Sequence, residues 1–219
     1  MLDIGAVIYP FLPQLFLVWG GLMLGLMSPG PSFILIANIA LTNRHSAIFV
    51  AIGCGFGSAI WALLTSFGLT ALLVLYPDLI KAIRLLGGLY LLWLAFGAFT
   101  KVLSPTAGHL AEIAKIRYQR GFSAFIKGLL IHLTNPKAAF VWLSLTALAV
   151  TPQTPIAALV LLVIVAFLLS LGWHLILALV FSTVKARTLY TKFTRSISAL
   201  FTAFFAALGV HLLWGLIAG

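Results

Sequence analysis

Six apolar runs leave this chain little choice of fold. They extend from about Phe11 to Leu41, Ala47 to Tyr76, Leu79 to Thr100, Phe122 to Val150, Pro155 to Val184 and Ile197 to Ala218. A helix rises ~1.5 Å per residue, so each run can cross a hydrocarbon core ~30 Å thick. No water reaches backbone groups there, and a helix satisfies them within its own segment. Composition agrees: of 219 residues, 63% are hydrophobic and 7% charged, too few charges to cover a soluble protein of this size. The expected fold is an all-α polytopic membrane protein with six transmembrane helices, residues 1–219 forming one domain. The first apolar run has no basic leader and is too long for a signal-peptide core, so it is expected to remain as the first span.

The net charge of +10 points to topology rather than to nucleic acid, because the bases gather between apolar runs. With six spans, Arg44, Lys101, Lys115, Arg117, Arg120, Lys127, Lys185, Arg187, Lys192 and Arg195 share one side of the membrane. The other side holds Lys81 and Arg84 with Asp3 and Asp78. The positive-inside rule then places both termini outside the cytoplasm. The stretch 101–121 becomes a cytoplasmic connector, with a short interfacial helix expected over Glu112 to Gln119. The single cysteine, Cys54, excludes an internal disulfide, a dithiol relay and a cage of cysteines around a metal.

Two of the six runs are interrupted. Ser28-Pro29-Gly30-Pro31 lies inside the first and Thr134-Asn135-Pro136-Lys137 inside the fourth. Proline lacks a backbone N–H and clashes with the preceding turn, so both places must open the helical ladder. Open backbone persists at membrane depth only against protein or a water-filled cavity. A shift of 107 residues lays Pro29 on Pro136, Phe33 on Phe140 and Leu41 on Leu148. A shift of 111 lays Lys81 on Lys192 and Arg84 on Arg195. The halves, 11–100 and 122–218, therefore read as repeats. Three spans each make them inverted, an architecture that many secondary transporters share.

In that architecture two half-helix N-termini converge near mid-depth, each carrying unsatisfied N–H groups and part of a positive charge. Ser28 and Asn135 precede the prolines and are expected to cap those ends. Lys137 adds a full charge, and no acid lies in any span to pair with it. Such a site suits an anionic group such as a carboxylate. The candidate substrate-binding residues are Ser28, Pro29, Gly30, Pro31, Asn38, Ser58, Thr134, Asn135, Pro136 and Lys137. His132 and His174 are candidates for proton coupling, with helix–helix hydrogen bonding as the plainer role for each. Gly53, Gly55 and Gly57 give the second span a smooth face suited to helix packing. Neither a cofactor nor a metal site is expected, since the cysteine, histidines and carboxylates do not cluster along the sequence.

At these motifs the chain resembles the LysE/RhtB family of bacterial amino-acid exporters. The matching pieces are Met27-Ser28-Pro29-Gly30-Pro31, Gly53 to Gly57, Leu85-Leu86-Gly87-Gly88-Leu89-Tyr90-Leu91 and Leu133-Thr134-Asn135-Pro136-Lys137-Ala138. They cover the first two-thirds of the chain. The resemblance implies efflux of amino acids or related small metabolites across the bacterial inner membrane, driven by an ion gradient. Members often carry an acid or amide after the second-span glycines, where this chain has Ser58. That departure favours neutral amino acids or other small carboxylates over substrates with cationic side chains. The expected partners are a small-molecule substrate and the lipid bilayer, not nucleic acid, with a homodimer left open.

Two rival classes remain at this level. One is an intramembrane serine protease built on Ser58 and His211, which requires the pair within hydrogen-bond reach. The other is a membrane-embedded assembly subunit that transports nothing, in which Lys137 would be dispensable.

Overall fold

The computed structural model describes residues 4–75, 79–103 and 121–217, and among these it is all helix and turn, with no strand. Helix α1 (Ile4–Ile8) passes through a single 3-10 turn, Tyr9–Phe11, into α2 (Leu12–Met27). Then come α3 (Pro31–Thr42), α4 (Arg44–Leu75), α5 (Leu79–Leu103), α6 (Phe122–Leu133), α7 (Pro136–Ala149), α8 (Ile156–Val180) and α9 (Val184–Ile217). The gaps between α2 and α3 and between α6 and α7 are the two proline interruptions.

Five helical stretches are long and apolar enough to cross a membrane unaided: Gly5–Met27, Arg44–Gly68, Lys81–Thr100, Ile156–Val180 and Arg195–Leu216. The apolar helices α3, α6 and α7 are shorter. Two boundaries differ from the sequence reading. The first helical stretch begins at Ile4 rather than near Phe11, because Pro10 and Pro13 lie in the first turns of their helices, where proline is tolerated. Helix α9 begins at Val184, not Ile197, because Val184–Ser196 contains neither Gly nor Pro and stays helical beyond the apolar stretch. Helix α5 runs on to Leu103, and the rest of the connector, with its expected interfacial helix, lies outside the described residues.

Side-chain contacts fix the direction of each helix. Trp19 Nε1 donates to Leu162 O at 3.3 Å and Trp173 Nε1 to Leu26 O at 3.1 Å, so α2 and α8 run parallel. Gly21 faces Leu145 while Gly25 faces Val141, so α2 and α7 are antiparallel. Gly87 meets Ser144 and Tyr90 stacks on Phe140 at 4.2 Å, which sets α5 antiparallel to α7. Gly88 abuts Gly209 and Leu213, and Arg195 Nε donates to Val102 O at 2.8 Å, so α9 opposes α5. Gly55 abuts Leu171 and Phe56 packs on Phe167, so α4 opposes α8. Gly53 abuts Phe125 and Thr146 Oγ1 donates to Thr65 Oγ1 at 3.0 Å, so α4 follows α6 and α7 in direction. Direction thus reverses at every step from α2 through α4, α5, α6–α7 and α8 to α9.

The polarity is that of a protein solvated by lipid. Large apolar side chains face outward, among them Trp93 (63% exposed) and Phe122 (74%), while Ser58, Ser66, Ser144 and Ser170 are fully buried. The glycine face of the second run packs as expected. A methyl on Gly53 would strike the Phe125 carbonyl, and one on Gly128 the Val50 carbonyl. At these two positions α4 and α6 touch backbone to backbone, an approach only a missing Cβ permits.

Candidate functional site

Both interruptions follow from proline chemistry, yet they are built differently. At the second, Asn135 is extended (φ −77°, ψ 109°), as a residue before proline must be, and Pro136 takes the first helical position of α7. Asn135 Oδ1 accepts the Lys137 N–H at 3.0 Å and so caps the helix. At the first, α2 ends at Met27 and Ser28 is its C-terminal cap, not the N-cap expected from sequence. The N-cap of α3 is Gly30, and it makes no side-chain cap bond. The reason is the second proline: Pro31, not Pro29, starts the helix, which leaves Ser28 three residues upstream.

The two interruptions meet. Lys137 Nζ donates to Ser28 O at 2.5 Å, across 109 residues of chain. Its stem passes over Gly30, where a Cβ would lie 3.2 Å from Lys137 Cδ. A cavity of about 40 Å3 lies on one side of this contact, lined by Ser28, Gly30, Ser32, Asn135, Lys137 and Trp142 along with both histidines. A second, of about 210 Å3, lies on the other side among Pro29, Trp93, Gly97, Ser198, Phe201 and Phe205. Among the described residues Ser28 and Lys137 alone line both cavities, so the bridge lies where the two adjoin. The smaller has room for a few waters.

The floor of the smaller cavity is a pair of buried histidines. His132 Nδ1 lies 3.3 Å from Ser32 Oγ, and His174 Nδ1 donates to Ser170 O at 2.7 Å. The rings meet edge to face, 5.5 Å between centroids. Cys54 Sγ and one ring nitrogen of each histidine lie within 4.8 Å of one another. This corrects the expectation that no potential metal ligands cluster: residues 54, 132 and 174 sit on three different helices that packing brings together.

The family model for LysE type translocators matches residues 23–215, which include both interruptions. The chain belongs to the LysE type translocator family. It is 32% identical over 196 residues to the threonine efflux protein of Salmonella typhi, covering 87% of this chain and 93% of that one. With the threonine efflux protein of Escherichia coli (strain K12) it shares 28% over 192 residues, with the same coverage of both chains. It is also 35% identical over 147 residues to the chemotactic transduction protein ChpE of Pseudomonas aeruginosa, covering 66% of this chain and 70% of that protein. No solved structure matches. As a LysE type translocator the chain is a multi-pass membrane transporter and not an enzyme.

Within this LysE type translocator the candidate residues separate into groups. Ser28, Gly30, Asn135 and Lys137 line the smaller cavity with His132 and His174, and Pro29 lines the larger. Pro31 and Pro136 shape the helix starts and line neither. Thr134 turns away, bonds Leu130 O at 2.8 Å and borders a separate groove beside Lys127. Asn38 and Ser58 are buried outside both cavities, and Asn38 Nδ2 and Ser58 Oγ find no hydrogen-bond partner among the described residues. His211 is exposed on α9, so the Ser58–His211 pair that a protease needs is not formed. Sequence reasoning missed Ser32 and Trp142 as cavity walls, and for Ser32 a signal existed, since it directly follows Pro31.

Proposed function

We propose that this LysE type translocator exports small neutral amino acids, threonine among them, or related small carboxylates across the bacterial inner membrane. The observation that carries the reading is the Lys137–Ser28 bridge between two cavities. A neutral carbonyl is a weak partner for an ammonium ion, and a carboxylate is a much stronger one. A substrate carboxylate arriving at Lys137 displaces the Ser28 carbonyl and opens the partition that the bridge closes. The N-terminus of α7 lies at the same place and adds its dipole to the anion site. The two relatives named for threonine efflux support the substrate class.

The transport architecture in this reading is an inverted repeat of six crossings. Its support is that each run packs antiparallel on its own counterpart: α2 on α7, α4 on α8 and α5 on α9. A two-fold axis in the membrane plane relates elements in this way. Both termini then lie outside the cytoplasm, and the bridge lies near mid-depth, level with the centre of the α6–α7 run. The test is efflux of labelled threonine from liposomes carrying the purified protein. The reading expects export that falls sharply in Lys137→Ala, and threonine-loaded vesicles with no protein-dependent efflux would overturn it.

A further inference from the structure

We propose that Cys54, His132 and His174 form a binding site for a monovalent soft cation of the Cu+ and Ag+ class. The three side chains come from α4, α6 and α8, and all three are at least nine-tenths buried. Their ligand atoms already lie within 4.8 Å of one another. Metal–sulfur and metal–nitrogen bonds of about 2.3 and 2.0 Å require the three to draw in by only about 1 Å.

The histidines are prepared as ligands prepare. A ligating imidazole is usually held by a hydrogen bond at its other ring nitrogen, which fixes its tautomer and its aim. His174 donates its Nδ1 proton to Ser170 O at 2.7 Å, which leaves Nε2 as the lone-pair nitrogen. His132 has its Nδ1 beside Ser32 Oγ, and its Nε2 is buried with no hydrogen-bond partner among the described residues. An orphaned ring nitrogen in a protein interior is costly unless something binds it. Cys54 supplies the sulfur, its thiol now donating to Gly128 O at 3.3 Å. Both histidines line the smaller cavity, which provides a path of entry.

Charge selects the ion. On binding, the Cys54 thiol gives up its proton and forms a metal–sulfur bond, while each imidazole contributes a lone pair. One thiolate and two neutral imidazoles around a +1 ion make a neutral complex, and the released proton balances the charge. A +2 ion such as Zn2+ would leave a net positive charge buried beside Lys137, which lines the same cavity. Thiolate ligation favours soft cations in any case. The site is independent of whichever solute the transporter carries.

The experiment titrates the tag-free purified protein with Ag+, and with Cu+ under reducing conditions, against a competing chelator. X-ray absorption then reads the ligands of the bound ion. The expected result is one equivalent bound, by one sulfur and two nitrogens, with Zn2+ held about tenfold more weakly or worse. Binding should be lost in Cys54→Ser and weakened about tenfold or more in His132→Gln. A shell without nitrogen, equal binding by Cys54→Ser, or tighter binding of Zn2+ than of Ag+ would each overturn the proposal. The absorption measurement on the wild-type chain needs no variant to fold.

Discussion

The ammonium group of Lys137 is held by the carbonyl oxygen of Ser28, 2.5 Å away, so the two proline interruptions are physically joined. Ser28 can offer this carbonyl because it ends α2 in an extended conformation (φ −67°, ψ 127°). Gly30 lets the lysine stem pass, since a side chain there would crowd Lys137 Cδ. All three acids of the chain, Asp3, Asp78 and Glu112, fall outside the described residues and outside the six apolar runs. The Ser28 carbonyl is a neutral acceptor, and in the proposed mechanism a substrate carboxylate replaces it.

Removing the ammonium should therefore remove the anion site. A hydrogen bond to a charged group contributes ~1.5–3 kcal/mol, so Lys137→Ala should lower the initial rate of threonine efflux from liposomes roughly 10- to 100-fold. Lys137→Arg keeps the charge but must fit a wider planar head over Gly30, and an intermediate rate is expected. Wild-type export by well-folded Lys137→Ala would remove the central element of the proposed mechanism.

The backbone contact between α4 and α6 makes a separate prediction about stability. Gly53→Ala and Gly128→Ala each place a methyl group against a carbonyl that cannot rotate away. The helices must part, at ~1–3 kcal/mol or more, which thermal unfolding in detergent will register as a lower midpoint. Gly20→Ala and Gly172→Ala meet nothing within 4 Å and should be neutral or slightly stabilising. If all four variants melt alike, the close approach of α4 and α6 is not what the glycines serve.

The two breaks could be read from sequence because proline acts locally: Pro31 and Pro136 start their helices whatever surrounds them. Helix ends without a proline were less legible. The start of α9 at Val184 was hidden because hydropathy marks where lipid begins, not where hydrogen bonding begins. Capping by Asn135 was readable from its place next to Pro136, whereas the same rule failed at Ser28 because Gly30 and Pro31 take over the helix start. The grouping of Cys54, His132 and His174 was out of reach. It depends on the rotation of α4 against α6 and α8, which Gly57 against His132 and Gly55 against Leu171 help to set. No pattern within a single helix encodes that.

The proposed orientation combines the alternation of helix direction with the positive-inside rule, and cysteine labelling checks it. Gln153 lies exposed in the loop between α7 and α8, and Thr183 lies exposed between α8 and α9. In intact cells a membrane-impermeant maleimide should label Gln153→Cys and leave Thr183→Cys unlabelled until the membrane is opened. Buried Cys54 should give little background. The reverse pattern would place both termini in the cytoplasm.

Asn135 separates the stability of the second break from its electrostatics. Its Oδ1 caps α7 through the Lys137 N–H, and its side chain also lines the smaller cavity. Asn135→Ala loses the cap, at about 1 kcal/mol, but leaves the charge of Lys137 unchanged. Its melting midpoint should fall while export by the folded fraction continues. Asn135→Asp caps as well as asparagine, so the helix should hold, but it adds a carboxylate to a cavity whose proposed ligand is a carboxylate. That variant should melt close to wild type and export little, because the new negative charge repels the substrate and offers Lys137 a permanent partner. The two variants thus predict opposite orders for stability and transport. If Asn135→Asp exports normally, the cavity does not select for anions, and the positive end of α7 and Lys137 serve the fold alone.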